Sequence, residues 1–171
     1  QGVTEDDADI QAAVLCIMLG GLDEAHNLVT PHCYTSATPY GGAPKYASPV
    51  FREACVCNGI LHRMEGHNRG GIGDGWKNSE YWFSQAFPLD GAQRGCGDSI
   101  FPTLIEEASS LSSSHDDAEY AIRGMKGKWM PMKFSRLCKE ALLDQDDDLL
   151  ACCAKIQAKE LRQLWDHVTS L

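Results

Sequence analysis

The stretch DDDLLACCAKIQAKELRQLWDHV, residues 146–168, decides the fold class. Leu149, Cys153, Ile156, Glu160, Leu164 and Val168 recur every three or four residues and share one face of a helical wheel, with Leu150, Leu161 and Trp165 beside them. Asp146, Asp147 and Asp148 stand at the N-terminal end, where unpaired backbone amides favour negative charge. Upstream, Phe134, Leu137, Cys138, Ala141 and Leu142 keep the same period, so two amphipathic helices close the chain.

The pattern extends to the other end. Ile10, Val14, Ile17 and Met18 predict a helix from Asp6 to Leu19, with Asp6, Asp7 and Asp9 at its start and Gly20-Gly21 as its break. A second helix, Leu22 to Val29, carries Leu22, Ala25, Leu28 and Val29. So short a turn predicts an αα-hairpin, and no second copy at a fixed period suggests a solenoid. Thr30 to Ala47 reads as a loop. Ser48-Pro49 then reads as an N-cap with proline at the first helical position, and Val50, Ala54, Cys57, Leu61 and Met64 carry that helix to Glu65.

The glycine-rich run from Gly66 to Gly75 lacks the G-K-[ST] ending of a phosphate loop and follows no strand. Further helices are expected at Trp76 to Phe87, Ser99 to Leu111 and Asp116 to Met125, with Leu89 to Asp98 as a loop. Nowhere do apolar and polar residues alternate over a strand's length. The expected fold is all-α: residues 1–171 as a single compact array of about seven helices, with an N-terminal αα-hairpin and a long glycine-rich loop.

A net charge of −9 argues against nucleic acid as a general partner, because phosphate binding needs clustered Lys and Arg. One stretch departs from this: Arg123, Lys126, Lys128, Lys133, Arg136 and Lys139 have no acid among them between 123 and 139. It reads either as a solvated surface or as a docking patch for an acidic protein. No apolar run approaches the ~20 residues of a membrane span. Gln1 is read as following a removed presequence or as lying inside a longer precursor, which leaves the cytosol or an organelle interior as the expected compartment.

The eight cysteines include no C-x-x-C pair. Cys16, Cys138 and Cys153 lie on apolar stripes and are expected to be reduced and slow to react. Cys33 and Cys96, both in loop-like stretches, could be otherwise.

One constellation carries chemistry. Asn58, His62 and Glu65 stack along one helix face at i, i+4 and i+7, and His26 is within packing reach on the second helix. Two histidines with a carboxylate could hold a divalent metal, or act as a base oriented by an acid. The alternative is a hydrogen-bonded pair that satisfies a half-buried face. His67 stands five residues beyond His62, a poor ligand spacing. The tryptophans read as core anchors.

Several phrases occur in order: LDEAHNLV (22–29), LHRMEG (61–66), NSEYWF (78–83) and a C-terminal run from FSRLC to LWDH. Together they resemble a poorly characterised family of small α-helical proteins of bacteria and eukaryotes with no established activity. The resemblance spans roughly Ile10 to His167 and implies His26, His62, Arg63, Glu65, Asn78 and Trp82 as matching positions. It also implies departures. Relatives carry a second histidine where this chain has Asn58, and acids near Met130 and Arg136, so polar members of a site would be lost here. The expected function is a non-catalytic interaction or structural protein, such as a peripheral subunit of a larger assembly. A metal-assisted or acid–base enzyme centred on His62 and Glu65 is the alternative, and a small-ligand module using the aromatic helix is weaker.

Overall fold

The structure, a computed structural model, describes residues 2–39, 41–66, 74–88 and 97–171. A capping box opens α1 (Glu5–Met18): Thr4 Oγ1 accepts from the Asp7 amide at 3.2 Å, and the Asp7 carboxylate accepts from the Thr4 amide at 3.0 Å. Gly20, at φ 81, turns the chain into α2 (Leu22–Cys33), and the two helices pack as the expected hairpin. α3 (Phe51–Glu65) lies against α2. α4 (Gly75–Ala86) makes with α3 the most extensive helix contact among the described residues. α5 (Leu104–Ser112) and α6 (Asp116–Arg123) follow, and then a second hairpin of α7 (Pro131–Leu143) and α8 (Asp147–Val168).

Close approach has a visible cause at Gly59. A Cβ there would lie 2.7 Å from the Phe83 ring, so only glycine lets α4 settle this deeply onto α3. α8 runs against α1, α5, α6 and α7 and closes the core. Leu149, Cys153, Ile156, Glu160, Leu164 and Val168 are all buried, as the wheel predicts. Trp129, Phe83, Phe101 and Phe134 are the largest side chains with essentially no exposure. Cutting either Phe83 or Phe134 back to alanine should cost about 3–5 kcal/mol.

The fold is all-α: the described residues hold eight helices, against the expected seven or so, and no strand. No helix among the described residues is long and apolar enough to cross a membrane. Several expected boundaries move. α2 continues through Pro31 to Cys33. Proline there leaves the Asn27 carbonyl without its usual partner, and Gly41 packs its backbone against that oxygen. The 41–49 segment is tied down again by Lys45 N to Pro31 O at 2.7 Å.

Ser48 does not cap α3. Its hydroxyl lies 2.8 Å from His32 Nδ1, and Val50 takes the cap position. α5 begins at Leu104, after a turn that includes Ser99 and Ile100. Met18 and Leu142, expected on inner stripes, are 46% and 41% exposed. Cys16 and Cys138 are only half-buried. Most of the expected glycine-rich loop, His67, Cys96 and most of 89–98 lie outside the described residues.

Candidate functional site

α2 and α3 run antiparallel, and the sequence spacing shows it. His26 meets His62 near one end of the seam, while Cys33, seven residues on, meets Asn58 and neighbours Cys55, seven before His62. The polar positions predicted on α3 therefore do face α2, but at different depths.

At the shallow end His62 Nδ1 lies 2.7 Å from Glu65 Oε2. The two are three residues apart on one face, as their spacing predicts. Their side chains are 10% and 26% exposed. The His26 ring meets the His62 ring edge-on, with centroids 5.5 Å apart. The hydrogen bond from His62 holds the Glu65 carboxyl below its ordinary range, against the upward push of burial. Burial, and then His62, hold His26 below its ordinary value. Chemically, a carboxylate fixes one imidazole nitrogen and leaves the other.

A metal is a poorer fit. Only Asp6, Asp9 and His32, among the described residues, bring three ligand atoms within 4.8 Å of one another, and His26, His62 and Glu65 do not.

Deeper in the seam Asn58 is fully buried and donates to Cys33 Sγ at 2.9 Å. Its Oδ1 has no hydrogen-bond partner among the described residues. Burial pushes the thiols of Cys57 up; at Cys55 the Cys33 thiol, and then burial, do the same, so both stay protonated. The seven described cysteines, Cys33 included, are free thiols.

Arg63, one residue along from His62, turns the other way. It is 3% exposed, pairs with the fully buried Glu160, and donates from Nε to Gln157 at 3.0 Å. Its guanidinium lies 4.7 Å from the centre of the Phe134 ring, and Glu160 also accepts from Trp129 Nε1 at 3.0 Å. This pair pins α3 to α8. Trp82 is 5% exposed, with Tyr34 and Tyr81 rings 5.0 and 4.9 Å away. Asn78 sits half-buried one turn into α4. Of the seven candidate residues, the structure thus gathers His26 and Glu65, both half-buried, around the buried His62. Arg63, Asn58 and Trp82 go to packing.

A second polar cluster was not foreseen. Lys45 Nζ lies 2.8 Å from Asp6 Oδ1 and 2.9 Å from Asp9 Oδ2, and His32 Nε2 lies 3.1 Å from Asp9. Burial pushes Asp9 up, but Lys45 and then His32 outweigh it and hold the carboxyl low. The bond to Asp6, helped by Asp9, raises the Lys45 ammonium above its ordinary value. This is the group with three close ligand atoms, and the ammonium already supplies its cation. In sequence the two acids, one helical turn apart, read as simple dipole partners; the signal is hidden because His32 follows a proline that reads as the start of a loop, whereas it lies in α2.

The basic stretch is partly neutralised. Arg123 pairs with Glu119, Arg136 Nε meets Glu80 at 2.8 Å, and Lys133 Nζ donates to the Gly124 carbonyl at 2.8 Å. Lys126 and Lys128 are exposed and Lys139 is half-buried. An open groove of about 420 Å³ lies beside Arg123 and Lys126, over Ile105 and Ile122, with Glu119 in its wall. Compared with known proteins, the chain matches no family model, no curated protein and no solved structure.

Proposed function

We propose that this chain is a non-catalytic helical protein that works by binding another protein, as a peripheral subunit of an assembly would. The observation that carries the reading is the outward face of α1. Ala8, Ala12, Leu15 and Leu19 follow one another at helical spacing along it, with Met18 beside them. Leu15, Met18 and Leu19 are 43%, 46% and 87% exposed, although Ile10, Ala13, Val14 and Ile17 already fill the inward face. A helix apolar on both sides is normally covered on both. Each such side chain gains about 1.5–3 kcal/mol when fully buried, which suits the i, i+3, i+4 anchors of a helix-and-groove contact.

The test is a photo-cross-linker at Leu15, with one at Glu106 as control, in extract of the cells that make the chain. A discrete adduct at 15 that disappears when Leu19→Glu is added supports the reading. Equal adducts at both positions overturn it.

A second reading keeps His62 as a general base, favoured by the Glu65 carboxylate on Nδ1 and the His26 ring beside it. It would use no metal, or one held by fewer than three of these residues. A pH-dependent activity on any added substrate, lost in His62→Gln with the fold intact, would establish it in place of the first.

A further inference from the structure

Asp9, His32 and Ser48 come from three separate stretches of the chain, and the fold brings them into one line. Asp9 lies on α1 and His32 on α2. His32 Nε2 is 3.1 Å from Asp9 Oδ2, and Ser48 Oγ is 2.8 Å from Nδ1 on the other side of the ring. An ionised carboxylate can only accept, so in the neutral ring Nε2 carries the proton and Nδ1 turns its lone pair to the hydroxyl. The Val50 amide, 3.4 Å away, donates to Ser48 Oγ, which leaves the hydroxyl's own proton for His32. Serine, imidazole and carboxylate thus stand in the order of a nucleophile, its base and the group that orients the base. At His115, which also touches a carboxylate, the other ring nitrogen accepts the Ala118 amide and caps a helix instead.

The segment that carries Ser48 is fixed to both helices. The Lys45 amide donates to the Pro31 carbonyl at 2.7 Å, and the Lys45 ammonium reaches Asp6 and Asp9. Ala47, directly before Ser48, is held at φ 54, a left-handed backbone that a side chain disfavours and that persists where the surroundings impose it. Asp6 Oδ1 is 4.0 Å from His32 Nδ1. Two acids therefore face one ammonium around the ring, a balance that favours the imidazolium formed when the ring takes a proton. The His32 side chain has no exposure, whereas Ser48 is half-buried between the exposed Ala47 and Pro49. A reagent from outside meets the hydroxyl first, with its base behind it.

We propose that Ser48 is a self-acylating serine, which takes an acyl group from a thioester or aryl ester with His32 as general base and Asp9 orienting the ring. Ser48 Oγ attacks the carbonyl carbon of the donor. The O–C bond forms as the hydroxyl proton passes to His32 Nδ1. The bond from carbon to the thiolate or phenolate then breaks, and the leaving group takes the proton from Nδ1 and departs as a thiol or phenol. The ring is neutral again, and the acyl group remains on Ser48. A serine alkoxide is a far poorer leaving group than either, so the group stays where it lands. Each chain is modified once, without turnover, and the modification asks nothing of the binding face on α1.

The experiment mixes the full chain with p-nitrophenyl acetate, follows nitrophenolate release and maps the acetyl group by peptide mass spectrometry. The expected result is a burst of one equivalent per chain with the acetyl group on Ser48. Ser48→Ala should abolish the burst, and His32→Gln should slow it about a hundredfold or more. Where circular dichroism shows that His32→Gln does not fold, Asp9→Asn, which leaves the ring and the hydroxyl in place, should slow it as well. Acetyl groups found only on amines, a burst that survives Ser48→Ala, or a rate indifferent to both His32→Gln and Asp9→Asn would each overturn the proposal. So would nitrophenolate release that continues beyond one equivalent and is lost in Ser48→Ala, since that is turnover.

Discussion

The outward face of α1 and the C-terminal end of α3 pose opposite problems. On α3, polar side chains were candidates for chemistry, yet His62 and Glu65 close on each other and Arg63 closes on Glu160. On α1, Leu15 and Met18, with Leu19 at its end, stand exposed over an already filled inner face. Polar groups that satisfy one another within a chain report on its stability. Under the proposed reading, apolar groups left outside mark where a partner would sit.

The largest expected effect lies at the buried end of that contrast. Glu160→Gln leaves Arg63 charged and uncompensated in the core and should cost about 3–5 kcal/mol in a denaturant titration. The double change Arg63→Met with Glu160→Leu should recover most of the loss. If the single substitution costs less than the double, the pair is not the lock between α3 and α8 described above.

Glu65→Ala should cost less, about 1–3 kcal/mol, because it strands the buried imidazole of His62 rather than a buried guanidinium charge. Replacing His62 and Glu65 together with Phe and Leu should be nearly neutral. A loss by the double replacement equal to that of Glu160→Gln would erase the distinction between the two ends of the network.

Lys45→Met should cost about 0.2–1 kcal/mol, since its side chain is 34% exposed and salt screens its two acids. Sodium chloride at molar strength should reduce the difference from wild type. A cost that salt leaves unchanged would mean that packing, not charge, holds the 41–49 segment.

The smallest effects are two separate pH windows. His26 is held below its ordinary value of 6.5, so the unfolded chain binds the proton first. Stability should therefore fall as pH drops below about 6.5 towards the folded-state value, and His26→Gln should flatten that slope. Glu65 is also depressed, from 4.5, so its contribution is present above that pH and is lost as pH falls through the lower folded value. A slope that survives in the His26 variant would assign the first window to another group.

The sequence made the helices legible where periodicity was long and uninterrupted, as in α8, whose whole inner face was named in advance. Glu160 was visible there as an acid on an apolar stripe. Its partner was not, because Arg63 is 97 residues away and nothing local points to it. His62 and Glu65 were legible as a pair because helical geometry alone sets their contact. At the end of α2 proline reads as a local stop signal, whereas what ties the segment after it back to the helix, the Lys45 amide on the Pro31 carbonyl, is a tertiary event. The exposed face of α1 was missed for a related reason. A helix apolar all round has no periodic contrast, so the sequence does not say which side is in.

The most direct test reads both regions at once. Mass-spectrometric footprinting would compare the purified chain with the chain in native extract, following oxidation at Met18 and imidazole acylation at His26 and His62. Met18 should become protected in extract while both histidines react as they do in the purified chain. Unchanged labelling at Met18 together with protection of His26 and His62 would contradict it, and would move the working surface of the molecule from α1 to the end of α3.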